Sequence, residues 1–517
     1  MLCNRRAAVI YFRARGGANP SQIPRMNGVF MTNDCEITRR DFLKSGAKAG
    51  ATMAALGGIG FMGDPQRVLG ANDRIRIAVC GVHGRGFDHV RQFSRIPGVE
   101  VAAICEVAED IAHQRMAEME RLQLPKPAYY FDVRELLEDK TIDAISVATP
   151  NHWHSLIGVW ACQAGKDVYV EKPCSHNWWE GKQLVEAAKR YQRIVQHGTQ
   201  SRSSTSVREA IQKLHSGLVG DVYLARGLCY KWRPSIGHMP IQPVPPRVHY
   251  NLWLGPAPVQ PFTLNHFLYN WHWFWDTGNG DLGNQGIHEL DVARWGLGVG
   301  FPNKVAAIGG KVMFDDDQQT PNVLNCAFEF DQPTGPPKLL EFEVRGWITN
   351  HEAGIGTGAY GGKPRPLNEV RISKEAELGA TPGHPILGPI GGMPGTVGNI
   401  YYGAKGMLGI SGYSSYKSWV GIRQEPGPQG RGGNELAHFE NFIQCVRSRK
   451  AEDLNAPIEE GHISCTLLHL ANASYRLGRS LRFNPDTQHV IDDDDANAMM
   501  REAARGYRRP FYIPEEV

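Results

Sequence analysis

Glu171-Lys172-Pro173 follows Asp167 to Val170, a short apolar run with the composition of a strand. A lysine at the carboxyl end of a strand stands where open α/β sheets bind their ligands. A second chemical feature lies upstream, where Arg74 to Cys80 reads as a strand and runs into Gly81-Val82-His83-Gly84-Arg85-Gly86, with a helix expected from Phe87. Strand, glycine turn and helix N-terminus together suit a phosphate. The next strand, Val99 to Cys105, is followed by Glu106, 20 positions beyond Gly86. That is the spacing at which a dinucleotide site keeps the carboxylate for its ribose diol, and it favours NAD over NADP. No arginine follows in Glu106-Val107-Ala108-Glu109 to receive a 2′-phosphate. The glycine motif is imperfect, since His83 takes the place of the second glycine and an extra Gly84 follows. The candidate cofactor-binding residues here are therefore Gly81, His83, Gly84, Arg85, Gly86 and Glu106.

Positioning these groups requires alternating strands and helices. Ile142 to Val147 reads as a strand, Thr149-Pro150-Asn151-His152-Trp153-His154 as a loop, and the chain then continues as a helix through Ala164. After the Asp167–Val170 strand comes a helix from about Trp178 to Tyr191 with Leu184, Val185 and Ala188 on one face, and Ile194 to His197 ends the unit. The expected class is α/β, with a doubly wound parallel sheet over residues 72–198. Residues 199–517 remain for a second domain carrying substrate and oligomer contacts. Within it, residues 353–400 are rich in Gly and Pro and read as an insertion, a lid or an oligomer contact. Apolar periodicity at Leu436, Phe439, Phe442, Ile443 and Val446, and again at Ile463, Leu467, Leu470 and Leu477, predicts two amphipathic helices covering the second sheet. Asp492 to Asp495 lacks the alternation of a calcium loop and reads as a solvated turn.

Taken together, TPNHWH (149–154), AGKDVYVEKP (164–173) and GNQGIHELDVARW (283–295) resemble the glucose–fructose oxidoreductase, inositol dehydrogenase and MocA family, Gfo/Idh/MocA. The resemblance runs by motif over about residues 73–295. It implies an N-terminal Rossmann domain, a C-terminal α/β domain with an open, mainly antiparallel mixed sheet, and NAD(P)-dependent oxidation or reduction of the CH–OH groups of sugars, sugar acids or cyclitols. It further implies that Lys172 is the catalytic lysine, that Glu171, Pro150 and Asn151 line the nicotinamide end, with His154 of the same motif beside them, and that His288 is the substrate-side histidine. The chemistry is reasonable: oxidising an alcohol requires a base for the hydroxyl proton, and a desolvated lysine beside a cationic ring has a depressed pKa. One position departs from the family. Many members have Asp four residues before the histidine, whereas this chain has Asn284, which can hydrogen-bond a hydroxyl but cannot relay a proton. Proton transfer is thus assigned to Lys172 and His288, with Asn284 as a positioning group; Asp281 or Glu289 could substitute for the missing acid, and spacing leaves this open.

Between Leu252 and Trp275 lie Trp253, Phe262, Phe267, Tyr269, Trp271, Trp273, Phe274 and Trp275, interrupted by His266, Asn270 and His272. Rings with polar neighbours suit the C–H faces and polar edges of a sugar, though any single one reads equally as core. The many histidines show no metal-ligand spacing, and no metal is expected. The ten cysteines are scattered without a CxxC and read as small core hydrophobes.

Length and composition bound these readings. The chain has 517 residues, 42% apolar and 21% charged, with a net charge of +3, so it should fold and gives no electrostatic case for a nucleic-acid partner. The charge is unevenly placed. Residues 1–71 carry ten basic and four acidic residues, so this leader holds +6 and the remaining 446 residues hold −3. Thr38-Arg39-Arg40-Asp41-Phe42-Leu43-Lys44, followed by a mildly apolar Gly/Ala run, resembles a twin-arginine export signal, with Met31 as an alternative start. The expectation is an exported, periplasmic protein without a stable membrane span, tethered only if the leader is uncleaved. The family resemblance implies a homo-oligomer.

Three functions remain distinct at this level. One is a net oxidoreductase on a carbohydrate. Another is a redox-neutral glycoside hydrolase or eliminase of the same family, which oxidises a ring hydroxyl transiently and returns the hydride. The third, prompted by His83 and Asn284, is a non-catalytic carbohydrate-binding protein on a Rossmann scaffold.

Overall fold

The computed structural model describes residues 74–231, 233–346, 396–501 and 507–517. The leader and residues 353–395 of the expected insertion lie outside them. The chain divides into residues 1–68 and 69–517, and all the described residues belong to the second unit.

Six strands form the first sheet: β1 (Ile75–Cys80), β2 (Val99–Cys105), β3 (Ala128–Tyr130), β4 (Ala144–Val147), β5 (Asp167–Val170) and β6 (Val195–His197). Their order is β3-β2-β1-β4-β5-β6 and every pair is parallel. The strands are short and apolar because both faces are covered, by helices α1 (Arg85–Phe93), α2 (Glu109–Arg121), α3 (Val133–Glu138), α4 (Asn151–Gln163) and α5 (Trp178–Arg190). Strand order reverses between β1 and β4, which opens a crevice at their carboxyl ends. The doubly wound α/β class agrees with the sequence reading. One local expectation does not: residues 151–154 are the first turn of α4, with Pro150 as its N-cap. The fixed φ of proline suits a helix entry, so the TPNHWH motif is a helix start, not a loop.

The second sheet has ten strands, β7 (Val222–Tyr230), β8 (Lys304–Gly310), β9 (Val323–Phe330), β10 (Lys338–Arg345), β11 (Thr396–Gly403), β12 (Gly406–Ser411), β13 (Ser415–Val420), β14 (Glu425–Arg431), β15 (Leu481–Asn484) and β16 (His489–Val490). The order is β14-β13-β12-β11-β7-β10-β9-β8-β15-β16, and only β7 and β10 pair in parallel. Residues 396–400 belong to β11, so the Gly/Pro-rich segment gives way to regular structure earlier than its composition suggested. Helices α6 (Thr205–His215) and, beyond the short α7 (Tyr250–Leu254) and α8 (Gly280–Asn284), α9 (Gly286–Leu297) pack against this sheet, and further helices α10 (Leu436–Ser448), α11 (Ile458–Leu477) and α12 (Asp494–Met500) follow. Asp493 caps α12 through the Ala496 amide and pairs with Arg479 at 2.7 Å, which makes the acidic run a helix start.

The destination of α10 corrects a further expectation. Phe439, Phe442, Ile443 and Val446 do not cover the second sheet; they join Ile75, Ile77, Val90 and Phe93 in the core over the first. The Phe439 ring stacks on Tyr169 of β5 at 4.8 Å between centroids, and Arg449 donates to Asp167 at 3.0 Å. Apolar periodicity established that a face is buried but not which sheet buries it. Helix α11 lies against both α5 and β8, and residues of both lobes share one continuous core.

Candidate active site

The turn after β1 is shaped by two glycines. Gly81 has φ +77°, and a Cβ there would stand 2.8 Å from Ala148 O; at Gly86 a Cβ would fall 1.7 Å from Gly81 O. Only glycine lets α1 seat on the turn. Gly84, by contrast, faces open space. His83 lines the crevice, and burial together with the nearby Arg115 guanidinium pushes its pKa down, so it is neutral. At the end of β2, Glu106 accepts from the Val82 amide at 3.0 Å and the Ala108 amide at 3.2 Å. Burial raises its pKa and these amides oppose the rise. The Glu106 carboxylate is thereby fixed in direction, with lone pairs left for a diol.

Three strand intervals away, about 14 Å across the sheet at the usual strand spacing, β5 ends in Glu171 and Lys172. Glu171 is buried and fully engaged. Its Oε1 accepts from Arg85 Nε at 2.7 Å and Gln200 Nε2 at 3.1 Å and lies 3.0 Å from His89 Nε2, while Oε2 accepts from the Lys172 amide at 3.0 Å. Burial would raise this carboxyl; Arg85 and His89 more than offset it and hold it well below its usual range. Arg85 also pairs with Glu435 at 2.6 Å. Glu171 and Arg85, both among the expected cofactor contacts, thus form a strut that aims the Lys172 backbone.

Lys172 is half-buried and donates from Nζ to the main-chain oxygen of Asn284 at 2.6 Å. Burial lowers its pKa; Glu171 opposes, and Arg85, Lys231 and Arg233 add to the fall. Asn284 ends α8, and α9 begins at Gly286, so Asn284 and His288 do not share one continuous helix. The Asn284 side chain donates to Tyr269 Oη at 3.4 Å, while its carbonyl engages the lysine. His288 is buried one turn into α9 with Nδ1 unpartnered, and its ring is 5.2 Å from that of Tyr413. Burial, reinforced by Lys172, holds it well below the usual histidine value and therefore neutral. The main cavity reaches Asn284, whereas His288 is not on its wall.

Asp281 and Glu289, the acids left open by spacing, have different fates. Asp281 takes a bidentate pair from Arg233 at 2.9 and 2.8 Å, and despite burial this pairing keeps it ionised. Glu289 is buried beside Gln285 and pushed up to about 8. At neutral pH the first is a carboxylate committed to a guanidinium, and the second is largely protonated.

Pro150, Asn151 and His154 all border the cavity. Asn151 donates to Asn279 Oδ1 at 2.9 Å, and the His154 ring spans Pro173 O at 2.6 Å and Thr149 O at 2.7 Å. His154 thus bridges the lysine loop at Pro173 and the turn before α4 at Thr149. Most of the aromatic stretch is core, with Trp253, Phe262, Phe267 and Trp271 packed around Ala108. Trp253, Phe267 and Trp271 also present an edge to the cavity, as do Tyr269 and His272. His272 stacks on Trp271 at 3.6 Å, and burial pushes it down to about 3. Arg233, which also donates to Tyr269 Oη at 3.3 Å, escaped the sequence reading because a lone arginine after a strand carries no signal. His89 and Gln200, the other braces of Glu171, escaped for the same reason.

The glycine turn, the end of β2 and the lysine loop border one cavity of about 590 Å³, while His288, Asp281, Glu289 and Arg233 stand behind its wall, and that volume is within the usual range for cofactor and substrate sites. Gly81, Glu106, Pro150, Lys172, Tyr269 and Asn284 all lie on its wall. The residues fit a dinucleotide: a glycine turn that no Cβ could enter, a helix N-terminus behind it, and an oriented carboxylate.

Comparison with known proteins identifies the family and the fold. Residues 75–199 match the Gfo/Idh/MocA family described as "Oxidoreductase family, NAD-binding Rossmann fold", and residues 204–326 and 433–510 match its "C-terminal alpha/beta domain". A "Glycosyl hydrolase family 109 protein 1" of Shewanella sp. (strain ANA-3) is 35% identical over 123 residues, 23% of this chain and 27% of the relative. An "Alpha-N-acetylgalactosaminidase" of Shewanella oneidensis is 33% identical over the same length, with the same coverage. The chain thus spans about a quarter of the length of these curated relatives. The WlbA dehydrogenase of Bordetella pertussis, solved with NADH and UDP-GlcNAcA, aligns over 80% of this chain and 99% of its own at 15% identity, with a TM-score of 0.55. A levoglucosan dehydrogenase solved with NADH and L-sorbose aligns over 79% and 99% at 14% identity, with a TM-score of 0.56. At such identities these structures share the fold.

Proposed function

Since the chain belongs to the Gfo/Idh/MocA oxidoreductase family, we propose that it moves a hydride between a nicotinamide cofactor and a hydroxyl-bearing carbon of a sugar, sugar acid or cyclitol. The observation that carries this reading is that Glu106 and Lys172 border one continuous cavity at the point where strand order reverses. The cofactor, NAD by the carboxylate at Glu106, supplies the hydride acceptor when bound. Everything else falls to the chain's own groups. The turn at Gly81 and the N-terminus of α1 would hold the pyrophosphate, and the Glu106 carboxylate would accept from the ribose diol. Lys172 Nζ, held by the Asn284 carbonyl, accepts the hydroxyl proton as the carbon is oxidised and returns it in the reverse direction. Behind the wall, Arg233 is paired with Asp281 and donates to Tyr269 Oη, and Tyr269, on the wall, accepts from the Asn284 side chain. Purified full-length chain, incubated with NAD⁺ and a panel of sugars, uronic acids and inositols, should form NADH with at least one of them. Absence of NAD⁺ binding by calorimetry would defeat the proposal.

A second reading is favoured by the names of the curated relatives, glycosyl hydrolase family 109 and α-N-acetylgalactosaminidase. In it the same site would oxidise a ring hydroxyl, the aglycone would leave by elimination with its proton restored, water would add at the carbon it left, and the hydride would return to the ketone, so no NADH accumulates. Chromogenic N-acetylgalactosaminides cleaved without net NADH support that version; stoichiometric NADH from a free sugar supports the first.

A further inference from the structure

Behind the cavity wall, three metal-ligating side chains meet in the dry core. Cys174 follows Pro173 in the lysine loop, His197 ends β6, and Cys465 lies on α11. All three are fully buried, and their sulfur and ring-nitrogen atoms lie within 4.8 Å of one another. No spacing rule links positions 174, 197 and 465, so only the fold brings them together.

His197 is the unexplained member. Neither of its buried ring nitrogens makes a hydrogen bond of ordinary geometry, and the interaction its ring does make is with the Cys465 thiol of the same cluster. Its backbone is held on both sides, the amide donating to Ala456 O at 2.9 Å and the carbonyl lying 2.9 Å from His438 Nε2. Room for the ring comes from Gly461, one helical turn before Cys465. A Cβ there would stand 2.8 Å from His197 Cγ and Nδ1.

The two sulfurs are 3.7 Å apart. Two thiolates on a tetrahedral zinc at about 2.3 Å each stand about 3.8 Å apart, whereas a disulfide requires about 2.05 Å. We propose that Cys174, His197 and Cys465 form a site for one thiophilic divalent ion of the Zn²⁺ class, tying the lysine loop and β6 to α11. Two thiolates and a neutral imidazole cancel the charge of a divalent ion, so the filled site brings no net charge into the core; a monovalent ion would leave one negative charge uncompensated. Two thiol protons are released to solvent on binding. The imidazole must close in by about 1 Å to reach the roughly 3.5 Å nitrogen-to-sulfur spacing of a zinc site. No fourth Cys, His, Asp or Glu joins them among the described residues, leaving the fourth position to a small ligand such as water.

The test uses full-length chain stripped with a chelator, desalted and titrated with Zn²⁺ against a competing dye, and with Co²⁺ as a spectroscopic probe. One equivalent of Zn²⁺ per chain and a thiolate-to-cobalt charge-transfer band are expected. His197→Gln, which leaves both cysteines in place, and Cys465→Ser should each weaken Zn²⁺ binding at least about tenfold. The unmodified chain decides the matter even if a variant fails to fold. Failure to retain Zn²⁺, cobalt bound without the charge-transfer band, or a Cys174–Cys465 disulfide found by mass spectrometry would each overturn the proposal.

Discussion

Replacing Glu106 by Gln tests how this chain distinguishes its cofactors. The carboxylate accepts from the Val82 and Ala108 amides and keeps its remaining lone pairs toward the cavity. Glutamine retains one acceptor oxygen but turns an NH₂ group toward the other amide, so one of the two amides loses its partner at about 1–3 kcal/mol of stability. For NAD⁺, charge-assisted bonds to the diol become neutral ones, a loss of about 1–2 kcal/mol or roughly five- to thirtyfold in Kd. For NADP⁺ the change has the opposite sign. A carboxylate and a phosphate charge about 6 Å apart at an effective dielectric constant near 20 repel by about 3 kcal/mol, and the substitution removes this term. The preference for NAD⁺ over NADP⁺ should therefore fall by about three to four orders of magnitude, read by calorimetry on chain whose urea midpoint shows it folded. Lowering the pH of the unmodified protein should move the preference the same way, since burial raises the Glu106 pKa and makes the group easier to protonate. Unchanged NAD⁺ affinity in folded Glu106→Gln, with NADP⁺ still excluded, would refute the assignment of this carboxylate to the ribose.

Three further outcomes follow from the packing and the site. Lys172→Met should lower turnover about 10²–10⁴-fold, the usual value of a positioned proton-transfer group, while NAD⁺ affinity in calorimetry stays within a few fold; retained turnover would remove the lysine from the chemistry. Phe439→Ala should cost about 3–5 kcal/mol in urea melts, because a core phenylalanine stacked on Tyr169 is emptied; a cost below about 1 kcal/mol would contradict the placement of α10 on the first sheet. Asp291 is buried and, with Arg202 more than offsetting the burial, is held at about 2 against an ordinary 3.8. This contribution of about 2 kcal/mol is fully present above the unfolded value and is lost as pH falls from about 4 toward 2. Asp291→Asn should therefore flatten the acid limb of the stability profile, and equal acid sensitivity of both proteins would count against the pair.

The first lobe was legible because its signals are local. Each short apolar strand, each glycine turn and the 20-residue interval from Gly86 to Glu106 lies within one strand–helix unit, where propensity and spacing act without help from distant chain. The misreadings share an opposite cause. Helix α10 announces an apolar face in its sequence, but the surface it covers, Ile75, Val90 and Phe93, is about 350 residues upstream. Pro150 marked a change of direction, and whether the chain turned or entered a helix depended on Asn279 and the Trp253 and Thr277 carbonyls receiving the side chains of α4.

The site divides in the same way, and the division bears on its chemistry. Lys172 and Glu106 could be named from sequence because each ends a strand whose position in the sheet is set by its order. The groups that control the lysine could not: Asn284 acts through its main-chain oxygen, a group every residue type has, and Arg233, 48 residues before Asp281 in the same lobe, claims that acid. The substitution of Asn for Asp at position 284 therefore removes a side-chain acid without disturbing the contact that holds the amine. With Asp281 committed to Arg233 and His288 neutral behind the wall, Lys172 is the one group named from the sequence for proton transfer whose polar end meets the cavity, and burial lowers its pKa from the ordinary lysine value. Variants at 284 should consequently alter substrate affinity more than turnover: Asn284→Ala leaves the carbonyl in place, and a rise in KM with kcat held within a few fold is the expected result in steady-state assays on whichever sugar the panel identifies. A collapse of kcat at unchanged KM would instead place the Asn284 side chain in the proton path.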